Sequence, residues 1–245
     1  MLWLAAAFFL TALLYASVGF GGGSTYSALL ALAGFDFRLL PVLSLLCNLV
    51  VVVGSSIRFA RAKITPWKGA LLLTGLAAPA AFLGGLTPIQ EGAFFLLLGV
   101  SLIFAGLLLF VPRSDTDGEA TKIGRFVPLA AIPLGYLSGL VGIGGGIFLA
   151  PLLHLVRWNS ARAIAATASL FILVNSAFGL AGQLLKNGTA LLVEAAGFGL
   201  PLMVAVVVGG QIGSLLALRL FPATAIRALT AILTMWVGAR LLLAG

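Results

Sequence analysis

Charge is what this sequence has least of. Its 14 Lys/Arg and six Asp/Glu make up 8% of 245 residues, where a soluble domain carries about 25%. That shortage excludes a solvated globular domain and leaves no room for an extramembrane catalytic unit. Cysteine is nearly missing too: Cys47 stands alone, in an apolar stretch, so no internal disulfide can form. Histidine is represented by His154 only. The net charge of +8 has no basic stripe or soluble module to present it, so nucleic acid is not an expected partner. Positive charge in such a chain normally marks cytoplasmic loops instead. No Lys or Arg precedes the first apolar run, Met1 to Val18, so that segment reads as a membrane span rather than a cleaved leader.

What the chain has is apolar length. Hydrophobic residues make up 62% and the mean hydropathy is +1.21. Apolar runs fall at about 2–34, 39–57, 67–87, 92–111, 126–156, 163–184, 189–218 and 221–244. A membrane span takes about 20 apolar residues, so the expected fold is an all-α polytopic membrane protein. The one charge-dense stretch, Arg113-Ser-Asp-Thr-Asp-Gly-Glu-Ala-Thr-Lys122, divides the chain into a first transmembrane repeat (1–112), a charged cytoplasmic linker (113–124) and a second transmembrane repeat (125–245).

Glycine supplies the pattern. Gly19-Phe-Gly-Gly-Gly23 recurs as Gly142-Ile-Gly-Gly-Gly146, 123 residues later. Ser44 and Ser169, Gly54 and Gly179, and Gly84-Gly85 and Gly209-Gly210 stand 125 residues apart, and Pro88 and Pro222 open the last helix of each half. Shared features in one order at nearly constant spacing indicate an internal repeat. Glycine runs break helices, and a break inside lipid is tolerated only where the backbone faces protein, water or solute.

The sequence leaves open whether each broken segment crosses once or returns as a hairpin. About 11 residues follow Gly23 before the Asp36/Arg38 loop, roughly 16 Å of helix, too short for a 30 Å core. With single crossings, nine Lys/Arg lie inside and five outside; with hairpins and an inverted second half, eleven lie inside and three outside. The positive-inside rule favours two inverted repeats, each with a re-entrant or discontinuous helix pair plus three transmembrane helices.

Such breaks put helix N-termini deep in the membrane. A helix N-terminus offers unpaired N–H groups and a partial positive charge, which suit an anion. The candidate substrate-binding residues are therefore Gly21, Gly22, Gly23, Ser24 and Thr25 at the first break and Gly144, Gly145 and Gly146 at the second. Asn48, Ser44, Asn175, Ser169 and Thr167 line the neighbouring runs. The bland alternatives are that glycines allow close helix packing and polar residues bond helices together.

The clusters Ser17-Val-Gly-Phe-Gly-Gly-Gly23 and Ser138-Gly-Leu-Val-Gly-Ile-Gly-Gly-Gly-Ile-Phe-Leu-Ala-Pro151, with Ala165-Ala-Thr-Ala-Ser169, resemble the TauE/SafE sulfite exporter family. Ala28 departs from the pattern, standing where Pro151 stands in the other half. The resemblance implies a multi-pass carrier in the bacterial inner membrane, without enzymatic activity or cofactor, for sulfite or another small sulfur-containing or organic anion. Its expected partners are the anion, membrane lipid and a coupling ion, proton or sodium; a homodimer is compatible. An anion channel and a non-transporting assembly factor are the alternatives. A serine protease is excluded because Gly22-Gly-Ser-Thr-Tyr26 fails the last position of G-x-S-x-G. His154 is expected near the cytoplasmic surface, and Glu194 near an interface. Trp3, Trp67, Trp158 and Trp236 lie near span ends, as an aromatic belt requires.

Overall fold

A computed structural model describes residues 2–18, 20–110, 126–216 and 223–244. The linker 113–124, Gly19 and Pro222 lie outside the described residues. The first half contains α1 (Leu2–Val18), α2 (Gly23–Leu32), α3 (Leu39–Arg61), α4 (Trp67–Leu86) and α5 (Glu91–Leu109). The second contains α6 (Val127–Val141), α7 (Gly146–Leu155), α8 (Ala161–Asn187), α9 (Thr189–Leu216) and α10 (Ala223–Ala244). In lipid the main-chain groups must be satisfied within helices or a closed barrel, and the described residues of this chain form helices. Among the described residues, α3, α4, α5 and α8 are long and apolar enough to cross a membrane. The α9 and α10 helices run 28 and 22 residues, whereas α2 and α7 have 10 each.

The two halves are packed through one another. The α1 helix packs on α9 and α6 on α4, α5 packs on α10, and α3 meets α8 at the centre. Small residues permit this closeness. A methyl group on Gly135 or Gly139 would strike the main chain of Ala77 or Ala81, and one on Gly209 or Gly213 that of Phe9 or Leu13. Both pairs therefore run parallel. In contrast, Gly179 lies against Leu45 while Ser169 bonds Ser55, so α3 and α8 run antiparallel.

Those directions fix the path of the broken segments. The α3 helix begins at what we term the first face, and α9, which follows the antiparallel α8 directly after Gly188 and sets Gly199 against Leu43 and Gly210 against Val51, runs the same way. So does α1, being parallel to α9. Since α2 must deliver the chain back to the start of α3 through the turn at Gly34 (φ 74°), it runs opposite to α1. Thus α1–α2 is a hairpin that returns to the first face. By the same steps α6, parallel to α4, leaves from the second face and α7 returns there. The described cations divide accordingly: Arg58, Arg61, Lys63, Lys68, Arg157 and Arg162 belong to the second face, and Arg38, Lys186 and Arg240 to the first.

The outward sides of α4, α5 and α6 carry Leu71, Leu72, Leu76, Leu83, Leu96, Val100, Phe104, Leu129 and Ile132, all exposed. Apolar exposure of that extent suits lipid and not water.

Candidate functional site at the two glycine breaks

The two breaks share one capping turn. Gly22 has φ 84° and caps α2; its carbonyl accepts from the N–H groups of Thr25 and Tyr26, both at 3.0 Å. Gly145 has φ 75° and caps α7; its carbonyl accepts from Phe148 at 3.2 Å and Leu149 at 3.1 Å. Gly142 and Gly144 also have positive φ, 78° and 84°, a region that residues with a Cβ enter only at a cost. No side chain caps either short helix, so Ser24 and Thr25 are not N-caps. The first N–H groups of a helix have no acceptor in the preceding turn, and here two such sets lie in the interior.

The two breaks meet at Asn48. This fully buried side chain of α3 occupies the space that a Cβ on Gly21, Gly23 or Gly144 would need. Its Nδ2 donates to the Ile143 carbonyl of the second break at 3.3 Å, while its Oδ1 has no hydrogen-bond partner. From α8, Ile172 does the same in mirrored fashion, packing where Cβ atoms on Gly21, Gly144 and Gly146 would sit. The residue in the place of Asn48 in the second half is thus Ile172, not Asn175. Ser44 adds a bond from Oγ to the Gly23 carbonyl at 2.6 Å.

Further polar groups surround this junction. Tyr15 OH and Thr25 Oγ1 are 2.8 Å apart, joining the two arms of the first hairpin. In the second hairpin the equivalent residues are Ser138 and Phe148, so Ser138 Oγ, buried beside Gly145, has lost its counterpart and has no partner. Tyr26 OH is likewise buried and unpartnered, its ring stacked on Phe8 at 4.8 Å. Buried polar groups without partners are scarce in proteins, each costing about 1–3 kcal/mol. Tyr15, Tyr26, Ser138 and Ile172 escaped the sequence reading. Tyr15 and Ser138 carried a signal, each standing four residues before the first glycine of its cluster.

The other expected residues divide. Asn175 is buried on α8, one turn past Ile172, with neither amide atom bonded. Ser24 is buried at the start of α2. Thr167 Oγ1 donates to the Ala163 carbonyl of its own helix at 2.9 Å. Ser169 bonds Ser55 at 2.8 Å and Ser56 at 2.9 Å, joining α8 to α3 rather than facing the breaks. His154 is buried in the last turn of α7, and Glu194 is exposed on α9. Among the described residues, no group of three His, Cys, Asp or Glu could hold a metal ion.

The sequence has matches among known proteins. The family model of the sulfite exporter TauE/SafE matches residues 4–241. The chain belongs to the TauE/SafE sulfite exporter family. A probable membrane transporter of Sinorhizobium fredii is 32% identical over 245 residues, covering 98% of this chain and 97% of the relative. A probable membrane transporter of Methanocaldococcus jannaschii is 27% identical over 191 residues, covering 73% of this chain and 70% of the relative. No solved structure matches. As a member of the TauE/SafE family the chain is a multi-pass membrane transporter, not an enzyme.

Proposed function

We propose that this TauE/SafE protein is a secondary transporter that carries a small anion, sulfite or an organosulfonate or another small organic anion, across the bacterial inner membrane. The anion binds where the two glycine breaks meet, among the N-terminal amides of α2 and α7. The observation that carries this reading is the convergence of both breaks on Asn48, whose Nδ2 already bonds the second break. Two helix N-termini supply positive potential without a buried cation, and an oxyanion accepts from many donors. Gly21, Gly22, Gly23, Ser24, Thr25, Gly144, Gly145 and Gly146 form the site, and Ser44 and Asn48 hold it together. Asn175 and Ser138, buried with unspent hydrogen-bonding groups, offer further contacts.

Two inverted repeats give this site a route to either side. The second face is cytoplasmic, because it gathers the larger share of Lys and Arg. In the alternative, an anion channel, the same dipoles form a selectivity site.

Purified protein in proteoliposomes tests the proposal. Saturable sulfite uptake, competed by sulfoacetate or thiosulfate and stimulated by anion preloaded on the far side, is expected of a carrier. Imposed proton and sodium gradients identify the coupling ion in the same vesicles. Flux linear in concentration and without counterflow would establish a channel. No flux of any anion tested would overturn the transport assignment of the site and leave an assembly role.

A further inference from the structure

We propose that a cavity on the first face is an anion-recruiting vestibule leading to the glycine breaks. The inference deepens the transport reading above and rests on it for the path beyond the cavity. The space measures about 200 Å³, several times the roughly 30 Å³ that a water occupies in the liquid. Its walls include Arg38, Pro41, Leu140, Gln183, Lys186 and Asn187, and no carboxylate lines it.

Arg38 and Lys186 are two of the three described cations on this face; the third is Arg240, in the last turns of α10. The positive-inside rule keeps cations off the non-cytoplasmic side, so topology gives no reason for gathering two around one cavity. Helix capping explains only part of it. Lys186 Nζ donates to the Thr87 carbonyl just past α4 at 3.2 Å, but an ammonium has three donors. The last carbonyls of α6 do not need it: Gln183 Nε2 bonds those of Gly139 at 2.9 Å and Leu140 at 3.3 Å. Asn187 Nδ2 in turn bonds Gln183 Oε1 at 3.3 Å. Arg38 has its guanidinium carbon 5.6 Å from the centre of the Phe37 ring.

The acids nearest the cavity in sequence, Asp36 and Glu91, do not line it. Asp36 Oδ1 accepts from the main-chain N–H of Arg38 at 2.9 Å. Glu91 is exposed in the first turn of α5, where the helix dipole favours it. The cavity floor then meets the break: Leu140 lies two residues before Gly142, and Pro41 fills the space where a Gly142 Cβ would go. Two cations line the cavity, and the second break, which leads into the N-terminus of α7, lies just beyond Leu140 and Pro41, so the charge on this path favours one sign. A small mono- or divalent oxyanion is the ligand class that fits.

A charge-probe experiment reads the vestibule directly. Cys47→Ser frees the chain of its own thiol, and Ile89→Cys places a reporter on the cavity wall. Anionic and cationic methanethiosulfonates are applied in turn to the first face. At low salt the anionic reagent is expected to react roughly tenfold faster relative to a free thiol control. Arg38→Gln with Lys186→Gln should abolish that preference, 1 M salt should suppress it, and Arg38→Lys should preserve it. A preference unmoved by the double Gln variant overturns the vestibule. Because no transported solute is needed, this result is independent of whether sulfite is the cargo. In a flux assay the double Gln variant should raise KM for anion at the first face about tenfold more than at the opposite face. An equal change on both faces contradicts the proposal.

Discussion

Asn48 and Ile172 flank Gly144 from two antiparallel helices, and each also touches Gly21 in the other half of the chain. The contacts are mirrored while the chemistry is not: an amide holds one side of the junction and a branched alkyl group the other. In the proposed site a substrate would meet hydrogen-bonding capacity from α3 and a dry surface from α8. That asymmetry would give a bound anion one preferred orientation.

Asn48→Leu should therefore weaken anion binding more than it weakens the fold. Hydrogen bonds to charged groups contribute about 1.5–3 kcal/mol, so a rise of roughly 10- to 100-fold in Kd is expected. Asn48→Asp should be more severe, since it places a like charge against the substrate. Sulfite titration of detergent-purified protein reads the affinity, and gel filtration reads the fold. If Asn48→Leu binds normally, the amide belongs to packing alone.

Gly21 and Gly144 look alike in sequence and should respond differently. A Cβ on Gly21 would meet only side-chain atoms of Asn48 and Ile172, and Gly21 is not among the glycines with positive φ. Gly144 meets the same neighbours but holds φ +84°, a strain no neighbour can relieve. Gly21→Ala should lower the melting temperature, and Asn48→Ala in the same chain should restore much of it. The coupling should be at least about 1 kcal/mol, in the range of contacting pairs. Gly144→Ala should not be rescued by Asn48→Ala. Equal rescue at both positions would show that crowding, and not backbone conformation, sets the need for glycine.

Much of this was legible because lipid leaves few choices. Apolar run lengths predicted α3, α4, α5 and α8 closely, and the glycine clusters marked the gaps before α2 and α7. The short tracts after Gly23 and Gly146 pointed to half-helices, which the structure gives as 10 residues each. The site was less legible, because polarity in a sequence does not say which way a side chain faces. Ser169 and Thr167 are polar and near in sequence to Ile172, yet one turns to α3 and the other to its own helix. Ile172 was invisible for the opposite reason: an apolar residue in an apolar run carries no mark. The counterpart of Asn48 lies 124 residues away, and Asn175 stood out in that run only because it is polar.

Helix packing offers a test that does not involve the site. Gly139 is pressed against the Ala81 main chain and lies close to Gly85, while Gly85 is pressed against the Gly179 carbonyl. This three-helix seam of α4, α6 and α8 has no space for a side chain. Gly139→Leu should prevent stable folding, seen as aggregation on gel filtration after detergent extraction. Gly92→Leu, at an exposed position where a Cβ would meet nothing within 4 Å, should leave the elution profile unchanged.

Ser138 separates a binding role from a packing role most cleanly. Its Oγ is fully buried beside Gly145 and has no partner, because Phe148 stands where Thr25 answers Tyr15 in the first half. In the empty protein such a hydroxyl is a liability, so Ser138→Ala should leave the stability unchanged or raise it by up to about the 1–3 kcal/mol that an unsatisfied buried group costs, with the melting temperature unchanged or higher. A substrate oxyanion at the N-terminus of α7 would accept the Oγ proton, and the same substitution should then weaken affinity by roughly 3- to 10-fold, the loss of one neutral-donor hydrogen bond. Stability and affinity thus move in opposite directions if the hydroxyl is kept for the substrate. Paired thermal melts with and without saturating sulfite measure both at once. A Ser138→Ala protein that is less stable when empty, yet gains the same increment from sulfite as the parent, would place the hydroxyl in the packing and remove Ser138 from the site.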